Sequence, residues 1–117
     1  MNFNTDKPIY LQIVEYVYER ILQQEWLEEQ KILSVRDLGG LLEVNPNTVM
    51  RAYEKLQQEK VIFNKRGVGF FIVVDAIDKI KRKKKAAFIE NELTQALHIA
   101  KLLGITESEI VEIYKKD

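Results

Sequence analysis

The sequence predicts an α+β fold, mostly α: three helices, a two-stranded hairpin, then a tail of two further helices. Three observations carry this. Apolar residues recur at helical spacing through roughly the first half of the chain. The period then switches to that of strands across "VIFN", "KRGVG" and "FFIVV", a glycine-containing turn between two β-branched and aromatic runs. From Asp75 onward it returns to one long helical stripe.

The first helix is expected over residues 8–24, with Tyr10, Ile13, Val14, Val17 and Ile21 on one face and Asp6 and Pro8 as its start signal. A connection with neither Gly nor Pro follows. Ser34, with Asp37 three residues on, resembles a capping box that opens a short helix at about 35–43, its Val35, Leu38, Leu41 and Leu42 facing inward. A tight turn at 43–45 leads to a third helix at about 46–60. Asparagine is a strong N-cap and proline suits the first helical position, which accounts for Asn45 and Pro46. Two short helices joined by such a turn form a helix-turn-helix, and the hairpin after it makes a winged helix, residues 1–75. Residues 76–117 form the helical tail, in which Gly104 ends one helix and a second capping box, Thr106 with Glu109, opens the last.

At 117 residues the chain has room for one ordinary domain, or a small domain with an appendage. It has no cysteine, which removes disulfides, thiolate metal sites and cysteine nucleophiles, and it has one histidine, His98, which cannot build a zinc site alone. His98 reads as a core or helix-surface residue. No nucleophile elbow, phosphate loop or dinucleotide fingerprint is present, so neither an enzyme nor a cofactor is expected. No apolar run reaches the ~20 residues that cross a bilayer, and the first residues carry no signal-peptide pattern, so a cytoplasmic protein is expected.

Eighteen basic and 18 acidic residues cancel, although a basic domain is the usual mark of a nucleic-acid binder. The charge is polarised: acids crowd residues 15–29, while Arg51, Lys55, Lys60, Lys65 and Arg66 lead from the third helix onward. "KIKRKKK", residues 79–85, puts six cations in seven residues; on a helix they splay around the axis, which favours a solvated face over phosphate contact.

"KPIYLQIVEYVYERI", "ILSVRDLGGLLEVNPNTVMRAYEKLQQEKVI", "RGVGFFIV" and "AFIENELTQALHIAKLLGITESEIVEIYKK" are together similar to the GntR family of bacterial transcription regulators, and within it to the small YtrA type. The likeness runs over almost the whole chain and implies a winged helix-turn-helix that binds duplex DNA, with a two-helix tail in place of a large effector domain. The chain departs from the pattern where a Pro-Gly and a Leu-Pro-Ser are usual, with Glu28, Glu29 and Leu33 there instead. It also carries Gly39, then Gly40, where an alanine is common, which loosens the second helix.

In a winged helix the third helix enters the major groove, its N-terminal residues at the base edges. Asparagine suits adenine, arginine guanine, and a threonine hydroxyl either a base or a phosphate. Asn47, Thr48 and Arg51 are therefore the candidates for base or phosphate contact, and Asn45 for cap and phosphate. By resemblance, Ser34 meets a phosphate and Arg36 reaches toward the major groove; the alternative for Arg36 is a surface ion pair with Asp37 or Glu43. Lys65, Arg66 and Gly67 form a thin basic wing tip that fits a minor groove.

In the tail, Ile89, Leu93, Leu97, Ala100 and Leu103, with Ile110 and Ile113, form an apolar stripe too large for so thin a hairpin to bury alone. The expectation is a homodimer that represses transcription from a two-fold symmetric operator. An effector small molecule would have only the cleft between tail and head. The rival reading is a winged-helix protein-interaction adaptor that does not read DNA, which zero net charge would suit.

Overall fold

The computed structural model describes residues 3–4 and 6–116. Helix α1 spans Ile9–Leu22 and buries Ile13, Val14, Val17, Tyr18 and Ile21. Pro8 is its N-cap and not its first residue; the Pro8 carbonyl accepts from the N–H groups of Leu11 and Gln12 at 3.1 and 3.3 Å. Gln12 is the one buried polar side chain among the described residues. Its amide donates to the carbonyls of Asn4 (2.8 Å) and Lys7 (2.9 Å) and accepts from the Asn4 N–H (3.1 Å), fixing the segment ahead of α1.

Helices α2 (Val35–Leu42) and α3 (Pro46–Gln58) form the helix-turn-helix. Leu38 and Leu42 from α2, and Val49, Ala52, Tyr53 and Leu56 from α3, meet the apolar face of α1 in one core. The expected inward position of Leu41 is wrong, since it is 61% exposed. Leu38, Gly39 and Leu42 centre the buried face, and Leu41 lies roughly 100° around from it at 3.6 residues per turn.

The two glycines of α2 differ. A Cβ on Gly39 would come within 2.9 Å of the Val44 carbonyl oxygen, so the missing side chain is what lets the turn into α3 close against α2. Around Gly40 there is open space. Gly40→Ala is therefore expected to raise the melting temperature by about 4 °C or more, through ~0.8–1 kcal/mol of helix propensity. Gly39→Ala is expected to lower it, by ~1–3 kcal/mol of overpacking. Thermal denaturation followed by circular dichroism reads both; the same sign at both positions would contradict the close approach.

Strands β1 (Ile62–Lys65) and β2 (Gly69–Ile72) pair antiparallel, Ile62 opposite Ile72 and Lys65 opposite Gly69. The free edge of β2 is covered by the connection after α1: the Glu29 and Ile32 N–H groups donate to the Ile72 and Phe70 carbonyls, and Lys31 bridges Phe71. Glu29 has φ 66°, the left-handed value that suits the glycine usual in this place. Glu28 gains a role a proline lacks, its carboxylate accepting the Ile77 N–H at 3.0 Å near the start of the next helix.

That helix, α4, spans Ala76–Phe88. The chain forms two compact units, the first ending at Lys81 and the second beginning at Arg82. Ala76 and Ile80 are buried in the core of the first, so the head takes in the opening turns of α4, beyond the change of pattern at Asp75. Lys79 is held there too, its ammonium donating to the Lys60 carbonyl (3.1 Å) and pairing with Asp75 (3.5 Å).

In the second unit a π-helical turn at Ile89–Leu93 interrupts the expected α-helical run before α5 (Thr94–Leu102). There the Thr94 hydroxyl donates to the Ile89 carbonyl and the Asn91 amide to that of Ala87 (2.9 Å). Gly104 follows with φ 74°, and α6 (Glu107–Lys115) opens on a full capping box. The hydrogen bonds from Thr106 to Glu109 hold that carboxyl below its ordinary range.

Candidate nucleic-acid interface

The first turn of α3 is closed from within. The Asn45 side-chain oxygen accepts the Asn47 N–H at 2.8 Å, and the Asn45 carbonyl accepts those of Thr48 (2.9 Å) and Val49 (3.3 Å). Pro46 has no N–H at all. The backbone donors at this helix end are thus occupied, and what it offers outward is side chains. The amide nitrogen of Asn45 remains a donor while its oxygen caps. Asn47 and Arg51 are exposed and Thr48 half-exposed; their i, i+3 and i+4 spacing sets them on one strip.

Ser34 repeats this arrangement on α2. Its hydroxyl oxygen accepts the Asp37 N–H at 3.1 Å, leaving its own proton free to give to an external oxygen. Arg36 is exposed one residue into the helix, and among the described residues it pairs with neither Asp37 nor Glu43. At the hairpin tip the Val68 N–H donates to the Lys65 carbonyl (2.9 Å), and Gly67 takes φ 78°, which the turn requires. Arg66 and Gly67 are exposed there, while the Lys65 ammonium lies 5.7 Å from the Phe71 ring centroid. Phe71 in turn stacks on Phe63 at 5.6 Å, stiffening the wing.

Some cations of the head are taken up by acids. Arg20, Lys55 and Lys79 are tied to Glu25, Glu59 and Asp75 at 3.1, 3.3 and 3.5 Å. Arg36, Arg51, Lys65 and Arg66 make no ion pair among the described residues. They belong to the second and third helices and the wing tip. A formal charge of zero therefore coexists with cations left available in the places a winged helix turns toward DNA.

Tyr53 anchors α3 from below. Its hydroxyl donates to the Leu33 carbonyl at 2.7 Å and its ring meets Phe70 edge-on at 4.9 Å, joining α3 to the approach of α2 and to the wing; burial pushes its phenol well above the usual range. On the other side of α3 lies a residue that spacing assigned only to the core, Tyr10. The Arg51 guanidinium sits 3.9 Å over its ring. Nothing in the sequence pairs two residues so far apart.

No group of three or more metal-ligating side chains exists among the described residues, and His98 lies exposed on α5. Dialysis against a chelator is expected to leave the melting curve and DNA binding unchanged. Loss of either, restored by one divalent ion, would reveal a carboxylate site.

Helix-turn-helix, wing and their unpaired cations define the chain's first unit as a winged-helix DNA-binding domain. Residues 9–72, more than half the chain, match the family described as bacterial regulatory proteins, gntR family. The chain is 32% identical over 109 residues to the HTH-type transcriptional repressor YtrA of Bacillus subtilis, covering 93% of this chain and 83% of that protein. A GntR family transcriptional regulator from Listeria monocytogenes superposes with a TM-score of 0.81 at 34% identity, over 98% of this chain and 99% of that one. AraR's DNA-binding domain in complex with operator ORR3 superposes with a TM-score of 0.56 at 25% identity, over 62% of this chain and 88% of that one. The chain belongs to the GntR family of transcription regulators and is of the YtrA type. These relatives are regulators and not enzymes, and no helix among the described residues is long and apolar enough to cross a membrane.

Proposed function

We propose that the chain is a cytoplasmic repressor that binds a two-fold symmetric operator as a homodimer. Each head sets α3 in the major groove, with Asn47, Thr48 and Arg51 toward base edges and Arg36 beside them. Ser34 and Asn45 donate to phosphates through the hydroxyl proton and amide nitrogen that their capping bonds leave unused. Lys65, Arg66 and Gly67 follow the minor groove.

The observation that carries this reading is that Arg36, Arg51, Lys65 and Arg66, exposed on α2, α3 and the wing tip, make no ion pair among the described residues. The operator complex of AraR and the repressor description of YtrA lend support.

Dimerisation is argued from the second unit. Leu102, Leu103 and Tyr114 are 73, 71 and 85% exposed, and Phe88, Ile89, Leu97, Ile99, Val111 and Ile113 are exposed as well. Leu93 and Ile110 are half-buried, and Ala100 is already buried within the single chain, so it adds little new contact. An isologous contact would cover this surface and supply the symmetry a palindromic site needs. Two tied heads then gain from simultaneous engagement, on the order of 10²–10⁴ over one head.

Selection from a random duplex DNA pool tests the proposal. The expected result is an enriched inverted repeat whose halves lie about one helical turn apart or a multiple of it. A single unpaired half-site would overturn the dimer, and no enrichment at all would favour a protein-interaction adaptor.

A further inference from the structure

We infer that Tyr10 is a positioning residue for sequence readout: its ring holds the Arg51 guanidinium in the orientation that meets a base, without itself touching DNA. The inference rests on the reading of α3 proposed above.

The guanidinium carbon lies 3.9 Å from the Tyr10 ring centroid, the shortest of three cation–π contacts in the described residues. Arg20 also lies over a tyrosine, Tyr16, at 4.9 Å, but its two terminal nitrogens face Glu25 and Glu19 at 3.1 and 3.7 Å. Arg51 has the aromatic contact and no acid partner among the described residues. Stacking engages the flat face of a guanidinium and leaves its five N–H donors free in the plane, which is the geometry bidentate recognition uses. A lysine in this place could offer no such fork.

Tyr10 is itself fixed. It lies in the first turn of α1, half-buried against the head core, and the Gln12 amide ties down the segment just before it. With Pro8, Ile9, Asn47, Thr48 and Arg51 it lines an open recess of about 330 Å³ at the N-terminal end of α3. An exposed arginine otherwise samples many rotamers, which binding must freeze. A platform that holds the side chain beforehand removes part of that cost and limits the bases it can meet.

The test uses full-length protein on the operator enriched from the random pool, with Arg51→Ala, Tyr10→Phe, Tyr10→Leu and the double variant Tyr10→Leu/Arg51→Ala. Tyr10→Phe keeps the π face and is expected to bind within about twofold of wild type. Tyr10→Leu is expected to weaken binding roughly fivefold and to relax preference at the same base position that Arg51→Ala relaxes. The double variant should be no weaker than Arg51→Ala alone. Effects that multiply, or a Tyr10→Leu protein with unchanged affinity and preference, overturn the inference. Unchanged binding by Arg51→Ala overturns the reading of α3 itself. A DNA-free measurement stands even if Tyr10→Leu fails to fold: the Arg51 side-chain proton resonances of the wild type should carry an upfield ring-current shift, and its absence also overturns the inference.

Discussion

Arg51→Ala is expected to weaken operator binding by ~1–3 kcal/mol, about five- to more than a hundredfold, and to broaden base preference at one position of each half-site. The magnitude follows from losing a bidentate contact that no neighbouring cation can replace, since Lys55, the next cation along α3, is tied to Glu59 at 3.3 Å. Salt dependence distinguishes the roles of the cations. For wild type, log K should fall linearly with log salt at a slope near −0.9 for each phosphate neutralised. Arg66→Ala, a phosphate contact in this scheme, should reduce that slope by about one while leaving sequence preference alone. Arg51→Ala should do the reverse. If Arg51→Ala lowers the slope and leaves preference intact, the arginine is a backbone contact and specificity lies with Asn47 and Thr48. A flat salt dependence in wild type would remove the interface altogether. Fluorescence anisotropy at several salt concentrations, on the enriched site and a scrambled one, provides all these numbers.

The order of elements was legible because each period was long enough to read. The apolar faces of α1 and α3 were plain, and Asn45–Pro46 and Thr106 with Glu109 mark helix starts by side chains whose capping bonds form. The ends were less so. Helices expected to stop at 24, 43 and 60 stop at Leu22, Leu42 and Gln58, and Gln24, Glu43 and Lys60 themselves take positive φ, 58, 59 and 60°. Where glycine usually breaks a helix, this chain spends an ordinary residue, so the stop signal is absent from the sequence. The same holds for Glu29, which hides the turn that lets residues 29–32 pair with β2. The π-helical turn at Ile89–Leu93 was invisible for another reason: the side-chain bonds that accompany it come from Asn91 and Thr94, residues common in any exposed helix. At the candidate site the residue types were readable, but their pairing was not. The ion pairs of Arg20 with Glu25 and Lys55 with Glu59 are local, whereas the contact of Arg51 with Tyr10 depends on packing between distant segments.

The tail offers the other large effect. Leu103→Glu is expected to convert a dimer to a monomer at tens of micromolar and to abolish cooperative binding to the full operator. Leu103 is 71% exposed in the single chain, so a carboxylate there stays in water in the monomer, and the folded head should melt within ~0.5 kcal/mol of wild type. In a two-fold contact the same carboxylate would be buried without a partner, which is strongly unfavourable. Leu93→Glu is a less clean probe, because Leu93 is half-buried within one chain and its replacement disturbs both states. Truncation separates the units. A chain ending at Lys81 keeps Ala76 and Ile80 in the head core and should remain a folded monomer that binds a half-site weakly. One ending at Asp75 loses both, including a fully buried isoleucine worth ~1.5–3 kcal/mol, and should melt measurably lower. Sedimentation equilibrium with gel shifts on full and half sites reads every case. A wild type that is monomeric at tens of micromolar, where a dimer of ~1 μM affinity persists, ends the homodimer model. A Leu103→Glu protein that stays dimeric moves the contact off this stripe. If Leu103→Glu instead unfolds the head, the tail belongs to its core, and the second unit serves stability before assembly.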